Sequence, residues 1–284
     1  MEIFKYQEVK ILQQPFDPPL TRDEISSLFP QIEEITPLTT GGEGSIFTGI
    51  NNHQKVALKF YGPNRVEKRV ELEVDKLKRV SCPFIVSLVD YGKITLRQKD
   101  CLFIITNFIQ GRTLVDINAS KELLTSKEVA HLIRCIGTAI HHLWNLGVVH
   151  CDITPKNIIK KNDKNYVLID LGIAKHIDTV TITEPGIIFG TMGYIAPEQI
   201  KGRRNLTLRA DFYSLGIVSY QCLTGYHPFN YQQELMLKNK VPLLPESVRV
   251  NKSLEELIYI MCNPIAYKRP SSFKEIMQFL EGVL

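Results

Sequence analysis

Between His150 and Gly172 the chain carries three oxygen-bearing side chains at a spacing few folds can use. Asp152 lies in His150-Cys151-Asp152-Ile153-Thr154-Pro155-Lys156-Asn157, and Asn157 is five residues beyond it. Asp170 opens Asp170-Leu171-Gly172, past an apolar stretch that reads as a short hairpin. A lone Asp here would read as a turn residue. Asp, Asn and Asp at this spacing between apolar strands suit one kind of chemistry instead. One carboxylate would sit near an attacking hydroxyl, with two oxygen ligands on Mg²⁺ beside a triphosphate.

Hydropathy along the rest of the chain is strand-rich first and helix-rich later. Residues Ile35 to Tyr61 are strand-like, with Ile46-Phe47 and Val56 to Phe60 flanking the turn-forming Asn51-Asn52-His53. Val66 to Val80 has helical period. Ile85 to Tyr91 and Leu102 to Phe108 read as two more strands. Helices follow at roughly Lys127–Leu146, Ala210–Leu223, Leu254–Cys262 and Ser272–Leu280. In the lead-in, Pro15, Pro18 and Pro19 oppose regular structure. Thr21-Arg22-Asp23-Glu24 then predicts a capping box, and Leu20 and Ile25 fit its hydrophobic staple. A short helix from about Arg22 should stop before Pro30. The segment is either packed on the strand-rich part or a mobile lead-in.

The Asp/Asn/Asp run resembles the H-R-D-L-x-x-x-N and D-F-G signatures of the protein kinases, with Cys151 in place of Arg and Leu171 in place of Phe. Gly190-Thr191-Met192-Gly193-Tyr194-Ile195-Ala196-Pro197-Glu198 resembles the Ser/Thr-type G-T-x-x-Y-x-A-P-E rather than the Trp-containing tyrosine-kinase pattern. The resemblance is to the eukaryotic-like (Hanks-type) serine/threonine protein kinase catalytic domain, with a bacterial look to the loop. It implies an α+β, bilobal protein-kinase fold. A lead-in of residues 1–34 would precede a domain of 35–284, with a small β-rich N-lobe at about 35–107 and a larger helical C-lobe at about 108–284. Glu198 and Arg269 are then expected to form a buried ion pair, and Asp211 to anchor the catalytic loop. Antibiotic and choline kinases share the Asp/Asn/Asp core but lack this set.

The same resemblance assigns the site. Asp152 is the expected base, and Asn157 and Asp170 the Mg²⁺ ligands. Thr154 stands where the Ser/Thr type usually has a lysine. Lys156 occupies the place of the tyrosine-kinase Arg, and is the expected cation for the γ-phosphoryl. Thr191 is expected to brace the catalytic Asp. ATP is expected against Gly41, Gly42, Gly44, Ile46, Ala57, Lys59, Glu73, Thr106, Asn107, Phe108 and Ile159. In this alignment Gly41 and Gly44 are the second and third glycines of the phosphate loop, and Thr39 replaces the first. A register using Gly42 and Gly44 as the first two would put Phe47 at the third and misplace Ile46, expected over the adenine. Lys59, in Val56-Ala57-Leu58-Lys59, would hold the α/β-phosphates and pair with Glu73, with Glu71 the close rival. Thr106 would be the gatekeeper of a hinge running to Ile109.

These readings imply an ATP- and Mg²⁺-dependent enzyme that phosphorylates Ser/Thr hydroxyls on protein substrates of unknown identity. Two alternatives stay open. A pseudokinase acting as a binding module is supported by Thr39 and Thr154; a small-molecule kinase is opposed by Ala196-Pro197-Glu198 and Arg269. The net charge of +4, with no dense Lys/Arg run interleaved with aromatics, gives no reason to expect a nucleic-acid partner. No window approaches the roughly 20 apolar residues of a membrane span. Six scattered cysteines without a C-x-x-C pair read as reduced thiols, and the expected location is cytoplasmic. The histidines His131, His141 and His142 read as surface or capping residues. Oligomeric state is left open. Cys151 also bears on regulation. It cannot supply the cationic pocket that receives activation-segment phosphate in kinases with H-R-D. Phosphorylation of Thr179, Thr181 or Thr183 is therefore not expected to be the main switch, unless Lys175 or Arg209 acts as receiver.

Overall fold

Two left-handed turns and one row of alternating apolar residues organise the strand-rich part. In the computed structural model, residues 16–41, 44–62, 67–171, 175–176, 190–203 and 205–284 are described. The chain divides into two compact units, Met1–Lys78 with Ser87–Phe108, and Arg79–Val86 with Ile109–Leu284.

The first unit is a five-stranded antiparallel sheet. Its strands are β1 (Ile32–Gly41), β2 (Gly44–Asn51), β3 (Gln54–Tyr61), β4 (Leu88–Leu96) and β5 (Lys99–Asn107), in the order β1-β2-β3-β5-β4. The β2–β3 turn places Asn52 and His53 at φ 47° and 63°, and the β4–β5 turn places Arg97 and Gln98 at 48° and 65°. Two successive left-handed residues match the right-handed twist of the strands they join. Along β3, Val56, Leu58 and Phe60 are buried on one face, opposite Ile105 and Phe103 of β5. Ala57 and Lys59 fall on the other face by the period of two.

The apolar face is covered by the lead-in. Helix α1 (Arg22–Leu28) starts from the predicted capping box: the Thr21 hydroxyl accepts from the Glu24 N–H, and the Glu24 carboxylate accepts from the Thr21 N–H. Phe16, Leu20, Ile25 and Phe29 join the core with Phe47, Leu58, Phe60, Phe103 and Ile105. The Phe29 ring meets Phe60 and Phe103 edge-on, at 5.7 and 5.0 Å between centroids. Arg97, in the β4–β5 turn, clamps the segment from outside. Its guanidinium donates to both Glu24 carboxylate oxygens at 2.7 and 2.9 Å and to the carbonyls of Pro18 and Pro19. From Phe16 onward the lead-in is therefore part of this unit's core. Helix α2 (Glu67–Arg79) buries Val74 and Leu77.

β4 begins three residues later than the sequence suggests. Ile85 makes a parallel bridge to Leu168 instead, flanked by hydrogen bonds from Val86 N–H to Leu168 O and from Leu168 N–H to Phe84 O, both 2.9 Å. The apolar run Ile85-Val86 thus serves the second unit.

That unit is mainly helical: α3 (Leu114–Ala119), α4 (Ser126–Asn145), α5 (Pro197–Ile200), α6 (Leu208–Thr224), α7 (Gln233–Lys238), α8 (Lys252–Met261) and α9 (Phe273–Leu280). Its short strands are β6 (Gly111–Thr113), β7 (Val148–Val149), β8 (Ile158–Lys161), β9 (Tyr166–Leu168) and β10 (Lys175–His176). They form two antiparallel sheets, β6-β8-β9 and β10-β7. α4 is capped by Thr125 and Glu128 and buries Val129, Leu132, Ile133, Ile136, Ile140 and Leu143, a helical stripe. α6 is buried almost all round and ends at Gly225, in the left-handed region at φ 80°. Gly216 of α6 lets α8 approach, since a Cβ there would fall 2.7 Å from the Cys262 sulfur. Among the described residues no helix is long and apolar enough to cross a membrane.

Candidate active site

The Asp152 loop is held from below by a buried carboxylate. Asp211, in the first turn of α6, accepts the backbone N–H groups of His150 and Cys151, both at 2.8 Å. Cys151 sits at φ 67°, a left-handed conformation that costs a non-glycine residue about 1 kcal/mol or more. The two bonds from Asp211 hold it there. Burial pushes the Asp211 carboxyl up to about 7, against the pull of those two N–H donors. The Cys151 thiol is fully buried and lies 3.6 Å from the Val149 carbonyl. His150 bridges the two acidic segments. Its Nε2 donates to the Asp170 carbonyl at 2.5 Å, and its Nδ1 accepts the Asp152 N–H at 3.2 Å.

The Asp152 carboxylate is gripped on both oxygens. Oδ1 accepts the Thr191 N–H at 2.9 Å. Oδ2 accepts the Asn157 amide at 3.0 Å and lies 3.6 Å from the Lys156 ammonium. The Asn157 amide also donates to the Asp152 carbonyl at 3.0 Å. Asn157 enters β8 from a 3-10 turn started by Pro155, while Asp170 follows β9, so the β8–β9 hairpin brings the two back together in chain order as the sequence pattern implies. Asp152, Lys156, Asn157 and Thr191 form one connected cluster. Asp170 joins it through His150.

Thr191 reaches Asp152 through its backbone N–H. Thr154, in the place of the usual lysine, has a buried hydroxyl without a hydrogen-bond partner among the described residues. Ile159 is half-buried in β8, paired with Val167 and Thr113.

The oxygen-only donor set suits a hard cation. Asn157 uses its amide nitrogen on Asp152, so its Oδ1 is the atom that would serve as a ligand, together with the Asp170 carboxylate. Among the described residues no group of three or more His, Cys, Asp or Glu could hold a metal alone. Mg²⁺ typically takes one or two protein oxygens and completes its octahedron with phosphate and water. The residues present fit that mode.

The remaining nucleotide-site candidates lie in the first unit. Gly41 pairs with Gly44 across the β1–β2 hairpin. Gly42 lies outside the described residues. Gly44 has a structural reason to be glycine, because a Cβ would fall 2.3 Å from the Phe60 carbonyl oxygen. Ile46 pairs with Lys59, and Ala57 with Thr106. The Lys59 ammonium sits 4.9 Å from the Tyr61 ring centroid. Glu73 lies on α2, its side chain outside what is described, and Glu71 is exposed. The N–H groups of Asn107 and Phe108 are engaged, by the carbonyls of Ser87 and Lys55 at 3.0 and 2.9 Å. A ligand reading this hinge would use other backbone groups. Thr179, Thr181, Thr183 and the Lys175 side chain lie outside the described residues.

The expected ion pair is present and buried. Arg269 donates to both Glu198 oxygens at 2.7 and 2.9 Å. A family model for the protein kinase domain matches residues 32–280. This chain belongs to the protein kinase family. Relatives within that family include bacterial serine/threonine kinases. It is 29% identical over 231 residues to a probable serine/threonine-protein kinase of Clostridium perfringens, covering 79% of this chain and 33% of that protein. It is 30% identical over 212 residues to serine/threonine-protein kinase PrkC of Bacillus subtilis, covering 72% and 32%. Against serine/threonine-protein kinase PknD of Mycobacterium tuberculosis the identity is 30% over 213 residues, covering 72% and 31%. The chain thus spans about a third of the length of these kinases.

Proposed function

We propose that this kinase domain transfers the γ-phosphoryl group of Mg·ATP to serine or threonine hydroxyls of protein substrates. The observation that carries the reading is the grip on Asp152. With Oδ1 on the Thr191 N–H and Oδ2 on Asn157, the carboxylate is oriented before substrate arrives. Asp152 accepts or orients the hydroxyl proton as the oxygen attacks. Lys156, its ammonium largely exposed beside Asp152, supplies positive charge for the phosphoryl oxygens in a loose transition state. Asn157 and Asp170 hold Mg²⁺, which when bound neutralises phosphate charge. Lys59 and the glycine hairpin hold the remaining phosphates. The Ser/Thr preference is supported by the Gly190–Glu198 motif and by what the relatives are named. The free state of all six cysteines supports a cytoplasmic setting.

The test is incorporation of labelled phosphate from ATP·Mg²⁺ into a generic protein substrate, alongside Asp152→Asn, followed by phosphoamino-acid analysis. The wild type should label Ser and Thr, and the variant should lose about 100-fold or more. Labelling that is equal in the two proteins would overturn the reading. Absence of transfer with retained ATP binding would favour the binding-module alternative, for which Thr39 and the orphaned Thr154 hydroxyl speak.

A further inference from the structure

The Thr191 N–H that holds Asp152 belongs to a tight turn. Tyr194 N–H donates to Thr191 O at 3.1 Å, and Gly193, third in the turn, sits at φ 96°. A positive φ at that position is what a type II turn requires. The turn's far side rests on a second turn, His227 to Tyr231. There Asn230 and Tyr231 are both left-handed, at φ 47° and 62°. Asn tolerates this conformation; Tyr does not adopt it without support.

The support is the His227 ring, which is almost wholly buried. Its Nδ1 accepts two backbone N–H groups, from Phe229 at 3.1 Å and Tyr231 at 3.0 Å. An imidazole nitrogen that accepts carries no proton, so the proton is on Nε2. Nε2 points at the Gly193 carbonyl, 2.7 Å away. All three bonds agree on one neutral tautomer, and burial, which lowers the His227 pKa, favours that neutral form. The Tyr231 ring stacks on the imidazole at 4.2 Å between centroids, and Tyr194 meets it edge-on at 5.5 Å. Gln221 of α6 ties both phenols, accepting from Tyr194 and donating to Tyr231. The fit is close: a Cβ on Gly193 would lie 2.5 Å from the Tyr231 ring.

We infer that His227 is a positioning residue for phosphoryl transfer: its Nε2–H holds the Gly193 carbonyl and thereby the turn whose Thr191 N–H orients Asp152. The inference rests on the phosphotransferase reading above. It predicts which half of the imidazole matters. Glutamine can place an amide N–H where Nε2 sits, but offers nothing at Nδ1. Asparagine can place an acceptor near Nδ1, but cannot reach Gly193. Gripping Gly193 is the catalytic task, so His227→Gln should rescue and His227→Asn should not.

The experiment uses the full chain as wild type, His227→Gln, His227→Asn and Asp152→Asn. Hydrogen exchange of residues 190–196 is read by mass spectrometry. In parallel, kcat and KM are measured for a generic protein substrate and for ATP. For His227→Asn, exchange in 190–196 should quicken about tenfold and kcat/KM for the protein substrate should fall about tenfold, with KM for ATP unchanged. His227→Gln should stay within about threefold of wild type on both readouts. An active wild type matched by His227→Asn in exchange and kinetics overturns the inference alone. So does a loss shared equally by both substitutions and tracking their melting temperatures, since that marks a merely structural role. A wild type no better than Asp152→Asn, with 190–196 still protected, overturns the phosphotransferase reading and this inference with it.

Discussion

Arg269→Met should destabilise the helical unit by about 3–5 kcal/mol, the range for breaking a buried ion pair on one side. The structure shows why the cost belongs at that level. The Arg269 side chain is 0% exposed and its donors are all engaged. Two bonds reach the Glu198 carboxylate, and others reach the carbonyls of Asn263 at 2.7 Å and Arg209 at 2.9 Å, with a longer one to Pro264. The guanidinium also lies 4.7 Å from the Tyr213 ring centroid. Methionine fills much of the volume but leaves a carboxylate in a site where its side chain is only 10% exposed, and removes the donor from each carbonyl. For a unit of this size 1 kcal/mol shifts the melting temperature by roughly 2–4 °C, so a fall on the order of 10 °C is expected. Adding Glu198→Leu removes the stranded charge and should recover part of the loss. It cannot recover all, because the carbonyls remain unpaired. Thermal and urea unfolding of the wild type, both single variants and the double variant give the coupling energy. A melting temperature within about 2 °C of wild type in Arg269→Met, or additive single effects, would refute the reasoning.

Other outcomes follow from the same geometry. Asp170→Ala should leave the melting temperature nearly unchanged but cut phosphoryl transfer more than about tenfold, as expected for loss of a Mg²⁺ ligand; retained activity in the labelled-ATP assay would remove Asp170 from the site. Arg97→Ala should cost the strand-rich unit about 1–2 kcal/mol in urea unfolding, more than an ordinary surface pair because four acceptors lose a donor. Arg97 holds the Glu24 carboxyl down at about 2, so this contribution is complete above pH 4.5 and is lost only as pH falls toward 2. The stability gap between wild type and Arg97→Ala should therefore be flat from pH 8 to 5. His227 changes with the same sign but in a higher pH window. Its folded pKa is lowered, so the unfolded chain takes up the proton first, and the His227 contribution is full above about pH 6.5 and declines below it. Tyr194 and Tyr231 are the titratable groups packed on the ring. The stability advantage of wild type over His227→Gln should shrink between pH 7 and 5, by at most about 1.4 kcal/mol per pH unit.

Local rules made much of this molecule legible before its structure. The Thr21/Glu24 capping box is written in four residues, and so is the helix it starts. Asp152, Asn157 and Asp170 could be read because one hairpin separates them. What sequence hid were contacts between distant segments. Nothing around Arg97 signals that a turn residue will grip Glu24, 73 positions earlier in the chain. The run Ile85-Val86 is apolar enough for the strand predicted there, and only the pairing with Leu168 shows where it goes. His227 sits in a stretch that reads as an ordinary turn before a proline. Its meaning depends on Gly193, 34 residues earlier, and only the structure shows that the absent Cβ there makes room for the Tyr231 ring. Thr191 meets Asp152 through its backbone N–H, and a backbone donor leaves no mark on residue type.

The site's precision traces to one helix. α6 is apolar and buried nearly throughout, yet Asp211, Ser214 and Gln221 stand in it at relative positions 0, 3 and 10, which 3.6 residues per turn places along one stripe. Each takes hold of a different part of the catalytic apparatus. Asp211 binds the backbone beside Asp152. Ser214 donates to the Tyr194 carbonyl at 2.7 Å, at the end of the turn that carries the Thr191 N–H. Gln221 joins Tyr194 to Tyr231 and so to the His227 lock. Buried polar groups in a helix core are costly unless satisfied; Asp211 and Gln221 find their partners in the two loops, while Ser214 shares its hydroxyl between the Tyr194 carbonyl and the Ala210 carbonyl of its own helix. Misplacing either loop would strand a buried donor or acceptor on α6. The loop carrying Asp152 and the turn carrying Thr191 are therefore both set against one buried helix, and two direct bonds, Thr191 N–H to Asp152 at 2.9 Å and the Gln199 amide to the Cys151 carbonyl at 3.2 Å, join them on that common support.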